Sequence, residues 1–371
     1  MLRRHALSLP YEDQLPALVA LVEPNAGWAN ASRDPKRLVE AALYHGMAGY
    51  LASGVERGDL GLDAELRGRL ARIGAIQRVH SAALRRELAA IESVLARACA
   101  APPVCIKGPA VADRFYPDPR LRTFADLDLL VPRKSMDCAG RALMARGYDP
   151  VHEFRPGFGE RYGHDFHLAR RIGRRTLDVE LHWRVGDDPA CTVLDHARVG
   201  AGPRLEVDGA IVQVPAPPEQ IVCLAAHLLS DRAKRLIWVL DLALAGRQAT
   251  ERHWNQAFRL ARDLGLGWVL HRALDYAARH LSFERSRPLP PGRPPAWGPL
   301  RAVEDLDIRA SLHIGRMAML GRLARVEYMR EVLVPTRDGL SGTVGRDGAP
   351  AWRQVGRHLR AVALGLGRQR H

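Results

Sequence analysis

Apolar positions recur every three or four residues through the first hundred residues, and then the period changes. Between Leu62 and Cys99 the side chains Leu62, Leu66, Leu70, Ile73, Ile76, Leu84, Leu88, Ile91 and Leu95 keep helical spacing, which predicts one long amphipathic helix or two in line. Arg67, Arg72, Arg78, Arg85 and Arg86 fall mainly on the outer side. Earlier, Ser32-Arg33-Asp34-Pro35 precedes Leu38, Ala41, Ala42, Met47 and Leu51. A capping residue before a proline is a helix start, because proline tolerates the first turn. A coiled-coil seam would use similar spacing, but a face packed against the following region accounts for it better. Residues 1–100 read as a supporting helical region.

Ala101-Pro102-Pro103 ends that pattern. Val104-Cys105-Ile106 is expected to be a short buried strand, and Gly108-Pro109 a turn that opens a helix through Ala110–Phe115. The segment YPDPRLRTFA is a loop, and DLDLLV, closed by Pro132, has the composition of a strand. Lys134 to Arg146 is helical with Gly147 as its stop, and a strand is expected at Tyr148–His152. Two runs of alternating polarity, HDFHLAR (164–170) and TLDVELHW (176–183), flank Ile172-Gly173-Arg174-Arg175; together they predict a hairpin. A smaller hairpin is expected at Arg204–Val207 and Ile211–Val214.

Pro215-Ala216-Pro217-Pro218-Glu219 restores the helical period, with helices expected at Glu219–Leu229, Ala233–Ala245, Glu251–Leu264 and Trp268–Leu281. RSRPLPPGRPPAW (286–298) is too proline-rich for regular structure and reads as a linker or surface loop. A helix at Asp305–Leu320, a Gly-rich stretch at Thr336–Pro350 and a basic amphipathic helix at Trp352–Leu366 follow. Strands interleaved with helices between helical flanks make the fold class α+β. The expected division is a helical region at 1–100, a small mixed-sheet core at 101–215, a helical domain completing a cleft at 216–285, and a linker with C-terminal helices at 286–371.

Composition changes this picture little. The 371 residues suffice for two or three domains with a large core. No apolar run approaches the roughly 18 residues of a spanning helix, and the N-terminus has no sustained apolar region. The expectation is a chain without a transmembrane segment, located in the cytoplasm. Cys99, Cys105, Cys138, Cys191 and Cys223 are scattered without C-x-x-C spacing, which fits reduced thiols rather than disulfides or a zinc site. A net charge of +14 favours polyanionic partners, whether nucleotides, nucleic acid or an acidic membrane. The arginines are dispersed, so charge does not choose among them. The oligomeric state is not written in the sequence.

The chemistry concentrates in two strands. Asp126 and Asp128 of DLDLLV share one face of their strand, with Leu127 and Leu129 on the other. Carboxylates so spaced favour a dication, and Mg²⁺ is usually held by one or two carboxylates plus substrate phosphates. On TLDVELHW, Asp178, Glu180 and His182 share a face. If the two strands lie side by side, Asp126, Asp128 and one of Asp178 or Glu180 converge into a site for two magnesium ions, suited to in-line phosphoryl displacement.

IKG, FYPDP, R-x-F-A-D-L-D-L-L-V, VELHW and LAAHLLSDRAKRLIWVLDLAL, in this order, resemble a bacterial nucleotidyltransferase family (family 5) of the polymerase-β-like superfamily. The likeness covers the stretch from Val104 to Ala245. It implies an Mg²⁺-dependent enzyme, with Mn²⁺ as a substitute, that moves a nucleoside monophosphate from a nucleoside triphosphate to an acceptor and releases pyrophosphate. Asp126 and Asp128 are implied as metal ligands and catalytic residues, with Glu180 as the third carboxylate and Asp178 as its runner-up. Lys107 and Gly108 stand where the superfamily has its glycine turn at the phosphates; glycine permits a tight turn, and a following helix start offers N–H groups to an anion. Pro109 brings no donor, which puts the weight on Lys107, and Arg122 could reach the triphosphate.

Lower in rank, His182 reads as a partner of the carboxylates. His164 and His167, three apart, would face opposite sides of a regular strand, which argues against a closed zinc site. His227, Arg235 and Asp241 line the acceptor or nucleotide side of the cleft or form buried ion pairs between helices. The acceptor is open: a small molecule, a peptide or, given the charge, RNA. A catalytically inactive scaffold on the same fold is the alternative from another class.

Overall fold

A computed structural model describes residues 9–23, 34–57, 62–151, 163–186, 193–200, 202–231, 233–281, 326 and 328–330. The expected linker at 286–298, the helices at 305–320 and 352–366 and the Gly-rich stretch at 336–350 lie outside these residues, as does Cys191.

The chain opens with α1 (Leu15–Ala20), α2 (Pro35–Tyr44), α3 (Ala48–Glu56) and α4 (Ala64–Ala98). Asp34 caps α2 by accepting from the Arg37 N–H, with Pro35 in the first turn. Asp63 caps α4 in the same way through Leu66. The period from Leu62 to Cys99 thus resolves into a single helix of 35 residues. Its second half buries Leu84, Leu88, Ile91 and Leu95. Its first half leaves Ile76 64% exposed, so the predicted apolar stripe is only partly used.

The mixed part comprises β1 (Val104–Cys105), α5 (Pro109–Phe115), β2 (Asp126–Leu130), α6 (Met136–Met144), β3 (Asp149–Pro150), β4 (Asp165–Ile172), β5 (Arg175–His182), α7 (His196–Val199), β6 (Arg204–Val207) and β7 (Ala210–Gln213). Next come the helices α8 (Pro217–Ser230), α9 (Leu236–Gln248), α10 (Glu251–Asp263) and α11 (Gly267–His280). The fold is α+β. Among the described residues, seven strands form one mixed sheet in the order β3-β4-β5-β2-β1-β7-β6. β5 with β2 and β1 with β7 are parallel, and the remaining pairs are antiparallel. Both hairpin turns rest on positive φ, at Gly173 and at Asp208-Gly209, the conformation such short turns demand.

Alternation on the central strands separates two cores. Leu127, Leu129, Val179 and Leu181 face Leu84, Leu88, Ile91 and Leu143 of α4 and α6. On the other side, Val104, Ile106 and Leu130 join a helical core that includes Leu38, Met47 and Leu51 together with Leu224, Leu240 and Leu274. The N-terminal helices and α8–α11 therefore share one core. Leu130 has the same strand parity as Asp126 and Asp128, so the carboxylates open on the side of the sheet that these helices cover. No helix among the described residues is long and apolar enough to cross a membrane.

Candidate active site

β5 lies beside β2, parallel and in register, with Asp126 opposite Asp178, Asp128 opposite Glu180 and Leu130 opposite His182. A two-by-two array of carboxylates results on one sheet face. β4 extends it, because His167 stands opposite Glu180 and its Nε2 lies 2.9 Å from Asp178 Oδ1.

Asp128 sits at the centre, buried. Its Oδ1 accepts from Lys107 Nζ at 2.6 Å and meets His182 Nε2 at 3.0 Å; His182 Nε2 is also 3.2 Å from Glu180 Oε2. Donor atoms of Asp128, Glu180 and His182 all lie within 4.8 Å of one another. Asp126 is one pleat away and partly exposed.

Burial opposes charge on all these groups, and their neighbours decide the outcome. Asp128 is held well below the usual carboxylate range: burial pushes its pKa up, but the Lys107 charge and the His182 hydrogen bond outweigh it. Burial likewise pushes Glu180 up, but the His182 hydrogen bond brings it below the ordinary value. Asp126 goes the other way, to about 7, through burial and the charges of Asp128 and Glu180, against which Lys107 and Arg122 are not enough. Burial would also lower Lys107 and His182, yet both are raised: Lys107 by the charges of Asp128, Glu180 and Asp126, and His182, to about 10, by its hydrogen bonds to Asp128 and Glu180.

The donor set fits a divalent cation. Asp126 is driven toward protonation by burial and by the charges of Asp128 and Glu180, and a cation at those two carboxylates would offset the second cause. His182 fits less well as a ligand. Its Nδ1 is buried without a hydrogen-bond partner among the described residues, whereas a metal-bound imidazole normally passes its other N–H to an acceptor.

The turn before the site depends on Gly108, whose φ of 56° and ψ of −119° suit glycine alone. The expected supply of N–H donors beyond it shrinks: Pro109 has none, and the Ala110 N–H points to the Lys107 carbonyl at 3.3 Å. Arg122 is also placed differently from the expectation of a triphosphate contact. Its Nε and Nη2 donate to the Asp241 carboxylate at 2.9 Å each, its Nη1 donates to the Thr123 carbonyl, and the side chain is buried. Tyr116 OH donates to the same Asp241 at 2.6 Å. A buried guanidinium forked onto a carboxylate has no face left for phosphate. Asp241 anchors the loop to α9 in place of lining the cleft.

His227 Nδ1 pairs with Asp231 Oδ2 at 2.8 Å, and its ring meets Trp238 edge-on at 5.0 Å. Arg235 lies over Trp238, 5.5 Å from the ring centroid. His164 precedes β4, so alternation does not govern it, and its ring lies 5.4 Å from His182. Both His164 and His167 therefore reach the carboxylate side.

A family model described as uncharacterised nucleotidyltransferase matches residues 31–282, taking in every strand and the carboxylate array. The chain belongs to this nucleotidyltransferase family. No curated protein matches it. In this nucleotidyltransferase, sequence alone gave no role to Asp231, which lies in the same block as His227, or to Tyr116, which secures Asp241. The i,i+4 spacing of His227 and Asp231 was the available signal for the first; the second stands in the FYPDP motif, but nothing in the sequence pairs it with Asp241.

Proposed function

We propose that the protein is a metal-dependent nucleotidyltransferase that uses Mg²⁺, or Mn²⁺ in its place. It transfers a nucleoside monophosphate from a nucleoside triphosphate to an acceptor hydroxyl or phosphate, and pyrophosphate leaves. The observation that carries this reading is the in-register pairing of Asp128 with Glu180 on parallel strands, with Asp126 and Asp178 one pleat away. Family membership supports nucleotidyl transfer in general; the metal and the roles of individual residues are our reading of the geometry.

Asp128 and Glu180 would hold the metal, with Asp126 beside them. The bound ion would stabilise charge on the phosphoryl oxygens. Lys107 keeps Asp128 ionised and brings a positive charge to where phosphates would enter. His182 bridges Asp128 and Glu180 and fixes their orientation. Glu180 and Asp126 are the partly exposed carboxylates next to Asp128, placed to take the proton of an attacking hydroxyl.

The test is incubation with each triphosphate labelled at the α-phosphate, Mg²⁺ and a panel of RNA, sugar, peptide and protein acceptors. Wild type should transfer label to one class. Asp128→Asn and Glu180→Gln should each lose about a hundredfold or more, with circular dichroism unchanged. Undiminished transfer by both folded variants would overturn the assignment.

A further inference from the structure

On the side of the sheet to which the carboxylates open, α8 and α9 present a corner that the phosphoryl chemistry does not use. The start of α8 is fixed to the sheet by Gln220, which donates to the Ile106 carbonyl at 3.0 Å, next to Lys107. His227 and Asp231 follow on that face of α8 at helical spacing from Gln220. Asp231, whose side chain is 46% exposed, pairs with His227 at 2.8 Å, and that partner holds its carboxyl below the usual range. α9 is fixed from the same side by the pairing of Asp241 with Arg122, and Trp238 lies one turn before Asp241. Most of α9 is buried, including Leu236, Ile237, Val239, Leu240 and Leu242, whereas Trp238 stays partly accessible. Its ring is braced by His227, and the Arg235 guanidinium, which forms no ion pair with an acidic group among the described residues, lies over it.

We propose that this corner is a nucleobase subsite, in which a heteroaromatic ring stacks on the Trp238–Arg235 pair while its phosphates reach toward Lys107 and the carboxylates. The reading rests on the nucleotidyl-transfer function and names where the base sits. Tryptophan and arginine planes both stack on bases, and a guanidinium resting on a ring is available to turn outward to a base edge or a phosphate. With Arg122 spent on Asp241, Arg235 is the guanidinium that this subsite brings to the base.

The test uses unphosphorylated nucleosides in the presence of a chelator, so that binding does not require the metal site. Calorimetry with adenosine, guanosine, cytidine and uridine should detect at least one by wild type. Trp238→Ala should weaken that binding about tenfold or more, the scale of one base stack, while Trp238→Phe keeps most of it. Asp128→Asn should bind the nucleoside as wild type does even though it is inactive in transfer, which separates this proposal from the catalytic assignment. In a separate titration without chelator, competition by the metal-bound triphosphate would assign the base to the donor nucleotide, and simultaneous binding would assign it to the acceptor. Equal nucleoside affinity in wild type and Trp238→Ala, or no nucleoside binding by wild type at millimolar concentration, would overturn it.

Discussion

At the scale of single residues, Oδ1 of Asp128 carries two positive partners, Lys107 and His182. A buried carboxylate of this kind depends on both. Lys107→Met should therefore destabilise the protein by roughly 3–5 kcal/mol, the cost of leaving a buried charge short of its partner. Because a divalent ion can replace the missing charge, added Mg²⁺ or Mn²⁺ should restore part of the loss in a thermal melt. Wild type should gain about 2.7 kcal/mol at a metal concentration a hundred times Kd, and Asp128→Asn should gain nothing. A wild-type melting curve indifferent to millimolar metal would contradict the cation reading. The residue types at this site were legible beforehand, because D-L-D and D-V-E on alternating strands announce shared faces. The roles of the arginines were not. Arg122 looked like a phosphate contact in a loop, and only the fold shows that Asp241, more than a hundred residues away, takes it.

At the scale of elements, two short connections set the frame. Gly108 turns the chain from β1 into α5 with positive φ. An added Cβ would meet nothing closer than 3.5 Å, at the Asp126 carbonyl, so the cost of Gly108→Ala is backbone strain rather than collision. We expect a loss of about 1–3 kcal/mol, seen as a lower urea midpoint with unchanged slope; an unmoved midpoint would show that the turn relaxes. The other connection is His45 at the end of α2. Its Nδ1 accepts the Leu236 N–H that begins α9, and its Nε2 reaches the Pro10 carbonyl at 2.7 Å. These roles require the neutral ring, and burial lowers its pKa from 6.5 to about 4. Between those values the unfolded chain binds more protons, so stability is full above pH 6.5 and falls as pH drops toward 4. The loss is about 3 kcal/mol. Denaturant titrations at pH 7 and pH 4.5 should show it, and His45→Gln should flatten the difference. Helical periods foretold α2 and α9, but not that one histidine would join them.

At the scale of the whole molecule, the sheet and the helices are held in one arrangement by shared core and by buried polar joints. The pairing of Arg122 and Tyr116 with Asp241 fixes the loop that leads into β2 against α9, which sets the position of the carboxylates relative to the Trp238 corner. Arg122→Ala and Asp241→Asn should each cost roughly 3–5 kcal/mol, and the double variant should cost less than their sum, because both remove the same pair. Additive losses would mean that the joint does not act as a unit. The expected regions 1–100 and 216–285 meet in a single hydrophobic core. That was not visible in the sequence, since each region is amphipathic by itself and periodicity does not say what its apolar face will meet.

The local pattern of the chain determined which segments became strands and helices in the mixed part, where the caps and tight turns fall, and that Asp126 with Asp128, and Asp178 with Glu180, share faces. These follow from side-chain period and backbone sterics, which act over a few residues. Tertiary structure decided the rest. Strand order placed β5 beside β2, and register put Glu180, not Asp178, against Asp128; a slip of two residues would keep strand parity, put Asp178 against Asp128 and carry Glu180 on to Leu130. Long-range pairing spent Arg122 on Asp241, and the packing of α8 against α9 brought His227 to the Trp238 ring. Short-range period cannot encode which distant charge or ring completes a site.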